Sequence, residues 1–182
     1  MTSCNKIIIT GGPGSGKTSI IACLEKKGYC IMPEKAREVI KTQLILGSEK
    51  LPWKDILAFS DLVMIEMQNT IFKNEFYFLD RSTIDVEAYL QVSKISYDKV
   101  KYANITNSMM YHKKVFYTPY WKEIYTTDQE RKETLAEALE ISEMIKQVYL
   151  NYGFDLIEIP KVSVEKRVEF VISELNLDVY RN

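Results

Sequence analysis

The sequence predicts a three-layer α/β domain, with one parallel five-stranded sheet covered by helices on both faces. Two observations carry this. Short β-branched or aromatic runs alternate with helical segments along the whole chain, and parallel strands need such crossover helices between them. The first of these runs leads straight into Gly11-Gly12-Pro13-Gly14-Ser15-Gly16-Lys17-Thr18. That segment fits G-x-x-x-x-G-K-[ST] and sits between a strand and a helix, the context in which the pattern has structural meaning.

The strands are read at Lys6–Thr10, around Tyr29–Met32, at Phe76–Leu79 ending in Asp80, at Val115–Tyr117, and at Asp155–Ile159 closed by Pro160. They are β-branched or aromatic and bounded by turn residues. The helices are read at Thr18–Lys27 with Gly28 as C-cap, Lys35–Leu46 ending at Gly47, Trp53 to about Lys73, Ile84 to about Val92, Glu133 to about Leu150 before Gly153, and Ser163–Leu175. Each has apolar residues at helical spacing or a cap at one end. The Trp53 segment is apolar around much of its circumference, which suits either core or an interface. The stretch from Ile95 to Lys114 reads as partly helical.

A chain of 182 residues is read as one domain spanning 1–182, long enough to bury roughly 70% of its unfolded surface. Apolar residues at 46%, charged residues at 27% and a net charge of −1 fit a soluble globular protein and argue against nucleic acid as a main partner. The cysteines are Cys4, Cys23 and Cys30. They form no C-x-x-C pair, so neither a disulfide framework nor a zinc knuckle is expected. Reduced thiols, a first apolar run too short for a leader and no membrane-length apolar stretch lead to the expectation of a cytoplasmic protein without membrane partners.

The Gly-rich segment carries the clearest chemistry. Glycines let a backbone turn its N–H groups inward around an anion. Lys17 supplies positive charge for β- and γ-phosphates, and Thr18 offers a hydroxyl to Mg²⁺. The helix N-terminus that follows adds partial positive charge. Gly11, Gly12, Pro13, Gly14, Ser15, Gly16, Lys17, Thr18 and Ser19 are therefore the candidate nucleotide-binding set. Ligands of open parallel sheets sit beyond the carboxyl ends of strands, where Glu34 and Asp80 also fall. Asp80 is placed to hold Mg²⁺ opposite Thr18, or to cap the next helix. Arg81 reads as a ligand for phosphate or carboxylate, or as an ion-pair partner of Asp85. Glu34 and Arg37 share a helix face at i, i+3 and suit a proton acceptor and an orienting cation, or a plain pair near a helix start. Asp128, Arg131 and Lys132, after Thr118-Pro119-Tyr120-Trp121, read as a basic lid segment around 118–132 or as a solvated helix start. His112 has no catalytic reading, and the aromatic cluster Tyr111–Tyr125 reads mostly as packing.

With those residues in place, the chain resembles the NadR-like AAA-type ATPase domain family, which includes ribosylnicotinamide kinase domains. The likeness rests on the phosphate-binding loop, on Pro33-Glu34-Lys35-Ala36-Arg37-Glu38-Val39-Ile40, on Gln68, on Phe78-Leu79-Asp80-Arg81-Ser82-Thr83-Ile84-Asp85, and on Thr118-Pro119 with Asp128 and Arg131. It implies a kinase-like P-loop NTPase fold with strand order 2-3-1-4-5. It also implies that Asp80 assists Mg²⁺, that Glu34 and Arg37 face the acceptor, and that Arg131 is the lid arginine. The Asp-Arg-Ser block is similar to that of deoxynucleoside kinases, where a glutamate after the second strand acts as base. Asp80-Arg81-Ser82-Thr83 departs from the Asp-Thr-Asp-like pattern of ribosylnicotinamide kinases, which argues against that acceptor.

The expected activity is transfer of the γ-phosphoryl of ATP·Mg²⁺ to a small nucleoside-like or other hydroxyl acceptor, or ATP hydrolysis. Lys17, Glu34, Asp80 and Arg131 are the candidate catalytic residues, and Glu34, Arg37 and Arg81 the candidate acceptor contacts. The alternative is a nucleotide-dependent switch presenting the 118–132 segment to a protein partner.

Overall fold

The computed structural model describes residues 5–70, 76–124 and 134–177. Five strands, β1 (Asn5–Gly11), β2 (Ile31–Met32), β3 (Phe76–Asp80), β4 (Lys114–Thr118) and β5 (Asp155–Glu158), form one sheet in the order β2-β3-β1-β4-β5. Every pairing is parallel. The helices are α1 (Lys17–Lys26), α2 (Lys35–Ile45), α3 (Ile56–Gln68), α4 (Thr83–Val92), α5 (Lys99–Ser108), α6 (Leu135–Asn151) and α7 (Val164–Glu174). Both the parallel sheet and the strand order agree with the expectation.

The two-residue period of a strand decides which helices cover which face. On β1, Ile7 and Ile9 point to one side and Ile8 to the other. Ile7 and Ile9 pack with Phe78 of β3, Phe116 of β4, Ile20 and Leu24 of α1, and Val168 and Val171 of α7. Ile8 packs with Leu79, Val115 and Tyr117, and with α2, α3, α4 and α6 through Val39, Val63, Ala88 and Ile145. All three isoleucines are fully buried, each contributing roughly 1.5–3 kcal/mol. A satellite cluster of Met64, Leu90 and Tyr102 lies between α3, α4 and α5.

Several ends differ from the sequence reading, for local reasons. The Trp53 helix starts at Ile56, because the Asp55 side chain accepts from Ala58 N and caps it there. It ends at Gln68, and Phe59, Val63, Met64 and Met67 bury its apolar surface within the chain. Thr134 and Glu137 form a reciprocal capping box that starts α6 at Leu135. Ser163 precedes α7 without a side-chain cap bond. Between Ile95 and Lys114 the helical part is α5, started by Asp98. Asp80 does not cap α4; Ser82 does, in a capping box with Asp85. No described helix is long and apolar enough to cross a membrane.

The chain leaves β1 through Gly11 at φ +142°. A Cβ there would lie 2.2 Å from Thr118 Oγ1 and 2.4 Å from the Thr118 carbonyl oxygen at the end of β4. Only a residue without a side chain lets the two central strands end this close together. Gly11→Ala should therefore cost about 2 kcal/mol or more of folding stability, read as a lowered midpoint in urea unfolding.

Candidate functional site

Residues 12–16 join β1 to α1 in a tight loop that is braced from three sides. The Ser15 hydroxyl lies 2.8 Å from the Gly12 carbonyl oxygen and 2.6 Å from Thr118 Oγ1. Thr118 in turn donates to the Thr10 carbonyl at 2.9 Å. Gly16 enters α1 in the left-handed region at φ +83°, and Arg167 of α7 donates through Nη2 to the Ser15 carbonyl at 3.1 Å. Lys17 folds back over the loop, its ammonium donating to the carbonyls of Gly11 (2.9 Å) and Gly12 (2.8 Å).

A cavity of about 450 Å³ opens in front of this loop. Pro13, Gly14, Ser15, Gly16, Lys17, Thr18 and Ser19 line one wall, and Glu34, Arg37, Asp80 and Arg81 the other. Gly11 and Gly12 do not line the cavity; their carbonyls hold the Lys17 ammonium that does. The structure thus brings together the candidate residues read from three separate segments. Arg131, with Asp128 and Lys132, falls outside the described residues; of the lid segment only its start, through the 3-10 turn Lys122–Ile124, is described.

The carboxyl ends of β2 and β3 supply the polar groups opposite the loop. Asp80 is 7% exposed, and its Oδ1 is buried with no hydrogen-bond partner among the described residues. Burial, reinforced by the Glu34 charge, raises its pKa. A partnerless carboxylate oxygen on a residue that lines the phosphate-loop cavity together with Thr18 fits a hard divalent cation. No described cluster of three His, Cys, Asp or Glu residues offers an all-protein metal cage, so a cation here would also need phosphate or water oxygens.

Arg81 is the organising cation. It follows Asp80 at φ +70°, a strained position for a long side chain. The strain aims its guanidinium between two carboxylates. Nε donates to Glu34 Oε1 at 3.1 Å and Nη1 to Asp85 Oδ1 at 3.1 Å, with Tyr89 beneath the guanidinium at 5.4 Å. The ion-pair reading of Arg81 with Asp85 is therefore present, but buried rather than on the surface. Glu34 begins α2 without capping it, because its other oxygen accepts from Arg37 Nε at 3.0 Å. Burial would raise the Glu34 carboxyl, but Arg81, Lys17 and Arg37 outweigh it and hold the pKa below the usual value.

Sequence reasoning missed three contributors. Arg167, 3% exposed, braces the loop, stacks over Trp121 at 5.8 Å and leaves its buried Nε without a partner among the described residues. It lies in the first turn of α7, and no local pattern in the sequence marks it. Thr118 seals the loop against β4. Tyr149 donates to Asp85 Oδ2 at 2.6 Å; it reads in sequence only as one apolar position of a helix.

Two outcomes follow. Asp85→Ala would strand the buried Arg81, Thr10 and Tyr149 donors, so a loss of about 3–5 kcal/mol is expected in chemical denaturation. Burial, with repulsion from Arg81, lowers the Lys17 pKa to about 7 in the free protein. A triphosphate on the loop would raise it again, so binding at about pH 8 should take up a proton while binding at about pH 6 should not. Titration calorimetry in buffers of different ionisation enthalpy reads this directly.

An AAA-domain family model matches residues 6–167 of the chain. Among solved structures, deoxyadenosine kinase from M. mycoides with dCMP and dCDP matches with a TM-score of 0.67 at 18% identity, covering 94% of this chain and 98% of that one. The same enzyme with dCTP gives 0.64 at 18% identity over 94% and 98%. The NadR protein in complex with NR gives 0.67 at 13% identity, covering 94% of this chain and 50% of that chain. No curated protein matches the sequence significantly. At these identities the structural matches speak for the P-loop kinase-like fold alone; the family match over most of the chain shows that the chain belongs to the AAA-domain family.

Proposed function

We propose that this protein transfers the γ-phosphoryl group of ATP to a small hydroxyl-bearing acceptor, nucleoside-like or another alcohol. One observation carries the reading. Glu34, Arg81 and Tyr89 line both the phosphate-loop cavity and a second cavity of about 210 Å³ enclosed by α2, α3 and α4. Two cavities sharing one carboxylate suit a donor phosphate and an acceptor hydroxyl that must meet, whereas water would need no second cavity. The kinase structures similar in fold, with dCMP, dCDP, dATP or dCTP bound, are in keeping with this.

In this reading the loop amides and Lys17 hold the β- and γ-phosphates, and Arg167 keeps the Ser15 peptide in position. Thr18 and Asp80 would hold Mg²⁺, which supplies charge neutralisation at the phosphates. The acceptor oxygen bonds to the γ-phosphorus as the bond to the β,γ-bridging oxygen breaks, and its proton passes to Glu34. Because nearby cations keep Glu34 ionised at neutral pH, it is always ready to accept and orient the hydroxyl; positioning and charge stabilisation do most of the work. Arg37 would help hold the acceptor, and Arg131 would close over the transferring group.

Lys17→Ala should abolish both nucleotide binding and label transfer from γ-labelled ATP. Glu34→Gln should lower kcat by about 10²–10⁴-fold with a much smaller change in the KM for ATP. Wild-type transfer rates in either variant would refute the corresponding role.

A further inference from the structure

The second cavity has a chemical character of its own. Its walls come from Ile40 of α2, Ile56, Phe59, Val63 and Met67 of α3, and Val86 of α4, all apolar. Among the described residues two cations line it, Lys35 and Arg81, and both are already matched. Lys35 Nζ lies 2.8 Å from Glu38, and Arg81 is held between Glu34 and Asp85. A phosphate-bearing acceptor would bring two negative charges to a wall with no cation to spare, beside two carboxylates.

Two of its polar residues, Asp85 and Ser82, are similarly committed. Asp85 accepts from Thr10 Oγ1, Arg81, the Ser82 amide and Tyr149. Ser82 Oγ pairs with Tyr149 and accepts from Ile84 N. No asparagine or glutamine side chain lines the cavity among the described residues, and Gln68 ends α3 exposed. A nucleobase has several edge donors and acceptors, and burying them unmatched costs affinity. At about 210 Å³ the cavity is also smaller than the roughly 300–1,000 Å³ common for drug-sized ligands.

We infer that the acceptor is an uncharged alcohol with a compact apolar body, such as an arylalkanol, whose body lies among α2, α3 and α4 with its hydroxyl at Glu34. Selection then works by shape and by exclusion. The apolar wall rewards a ring or alkyl body, the paired cations refuse a phosphomonoester, and the missing amides leave a nucleobase unread. This inference rests on the phosphotransfer reading for its chemistry but on the cavity lining for its ligand class.

The experiment uses the full chain with Mg²⁺ and γ-labelled ATP against three acceptor sets: phenethyl and cinnamyl alcohol, deoxyadenosine and cytidine, and dCMP. Binding of each acceptor is read separately as a rise in thermal unfolding midpoint, in the wild type and in Ile40→Gln, a partly buried position able to take a polar side chain. The expected result is binding and labelling of the aryl alcohols, with binding weakened about tenfold or more in Ile40→Gln. Higher kcat/KM for the nucleosides or for dCMP would overturn the ligand class and leave phosphotransfer standing. Binding of the aryl alcohols that Ile40→Gln weakens, without labelling in any set, would overturn phosphotransfer and leave the ligand class standing. Neither binding nor labelling of the aryl alcohols, or binding that Ile40→Gln leaves unchanged, would overturn the inference.

Discussion

One buried carboxylate ties the layers of this protein together. Asp85 is 2% exposed and receives donors from three directions: Thr10 of β1, the Arg81-Ser82 turn after β3, and Tyr149 of α6. A charge that deep is tolerable only when its lone pairs are filled and a counter-charge is close. Meeting that condition sets the distance from the central strand to α4 and α6 and fixes where the Arg81 guanidinium lies. The loop in front of the sheet and the second cavity beside it both take their geometry from this point.

Arg81 carries that constraint into the site. Its left-handed backbone is unfavourable in isolation, and the two ion pairs it makes hold it there. With its charge divided between Asp85 and Glu34, it keeps Glu34 ionised and leaves little positive field for an anion in the second cavity. Asp80, one residue earlier, keeps a buried Oδ1 without a partner among the described residues. Asp80 lines the phosphate-loop cavity alone, whereas Arg81 lines both cavities. Around the phosphate loop the bracing is almost entirely neutral: hydroxyls of Ser15 and Thr118, carbonyls of Gly11 and Gly12, and one guanidinium from α7. Lys17 satisfies those carbonyls in the free protein, and its burial leaves its charge weakly held until an anion arrives.

The helices divide the labour between the sheet faces. α1 and α7 cover the face that contains Ile7 and Ile9, and they support the phosphate loop through Gly16 and Arg167. α2, α3, α4 and α6 cover the Ile8 face, and the first three line the second cavity. The apolar circumference of α3 has its explanation here, because Phe59, Val63 and Met67 pack into the main core beside the second cavity while Met64 packs with Leu90 and Tyr102.

Much of this was legible in the residues alone. The glycine loop between strand and helix, the alternation of elements and the position of Glu34 and Asp80 at strand ends all depend on local chemistry: backbone freedom, periodicity and capping act within a few residues. Helix starts moved by one to three residues where a side-chain cap outweighed the apolar pattern, as at Asp55 and Thr134. What only the tertiary structure decided were relations between distant segments: that Arg81 is shared by Glu34 and Asp85, that Tyr149 and Arg167 reach the site from α6 and α7, and that a second, apolar cavity adjoins the first. No local signal marks such pairings, because they follow from which faces the sheet twist and the packed helices bring together. The physical reason is range: propensity and turn chemistry act between neighbours in the chain, whereas burial and charge matching act between neighbours in space.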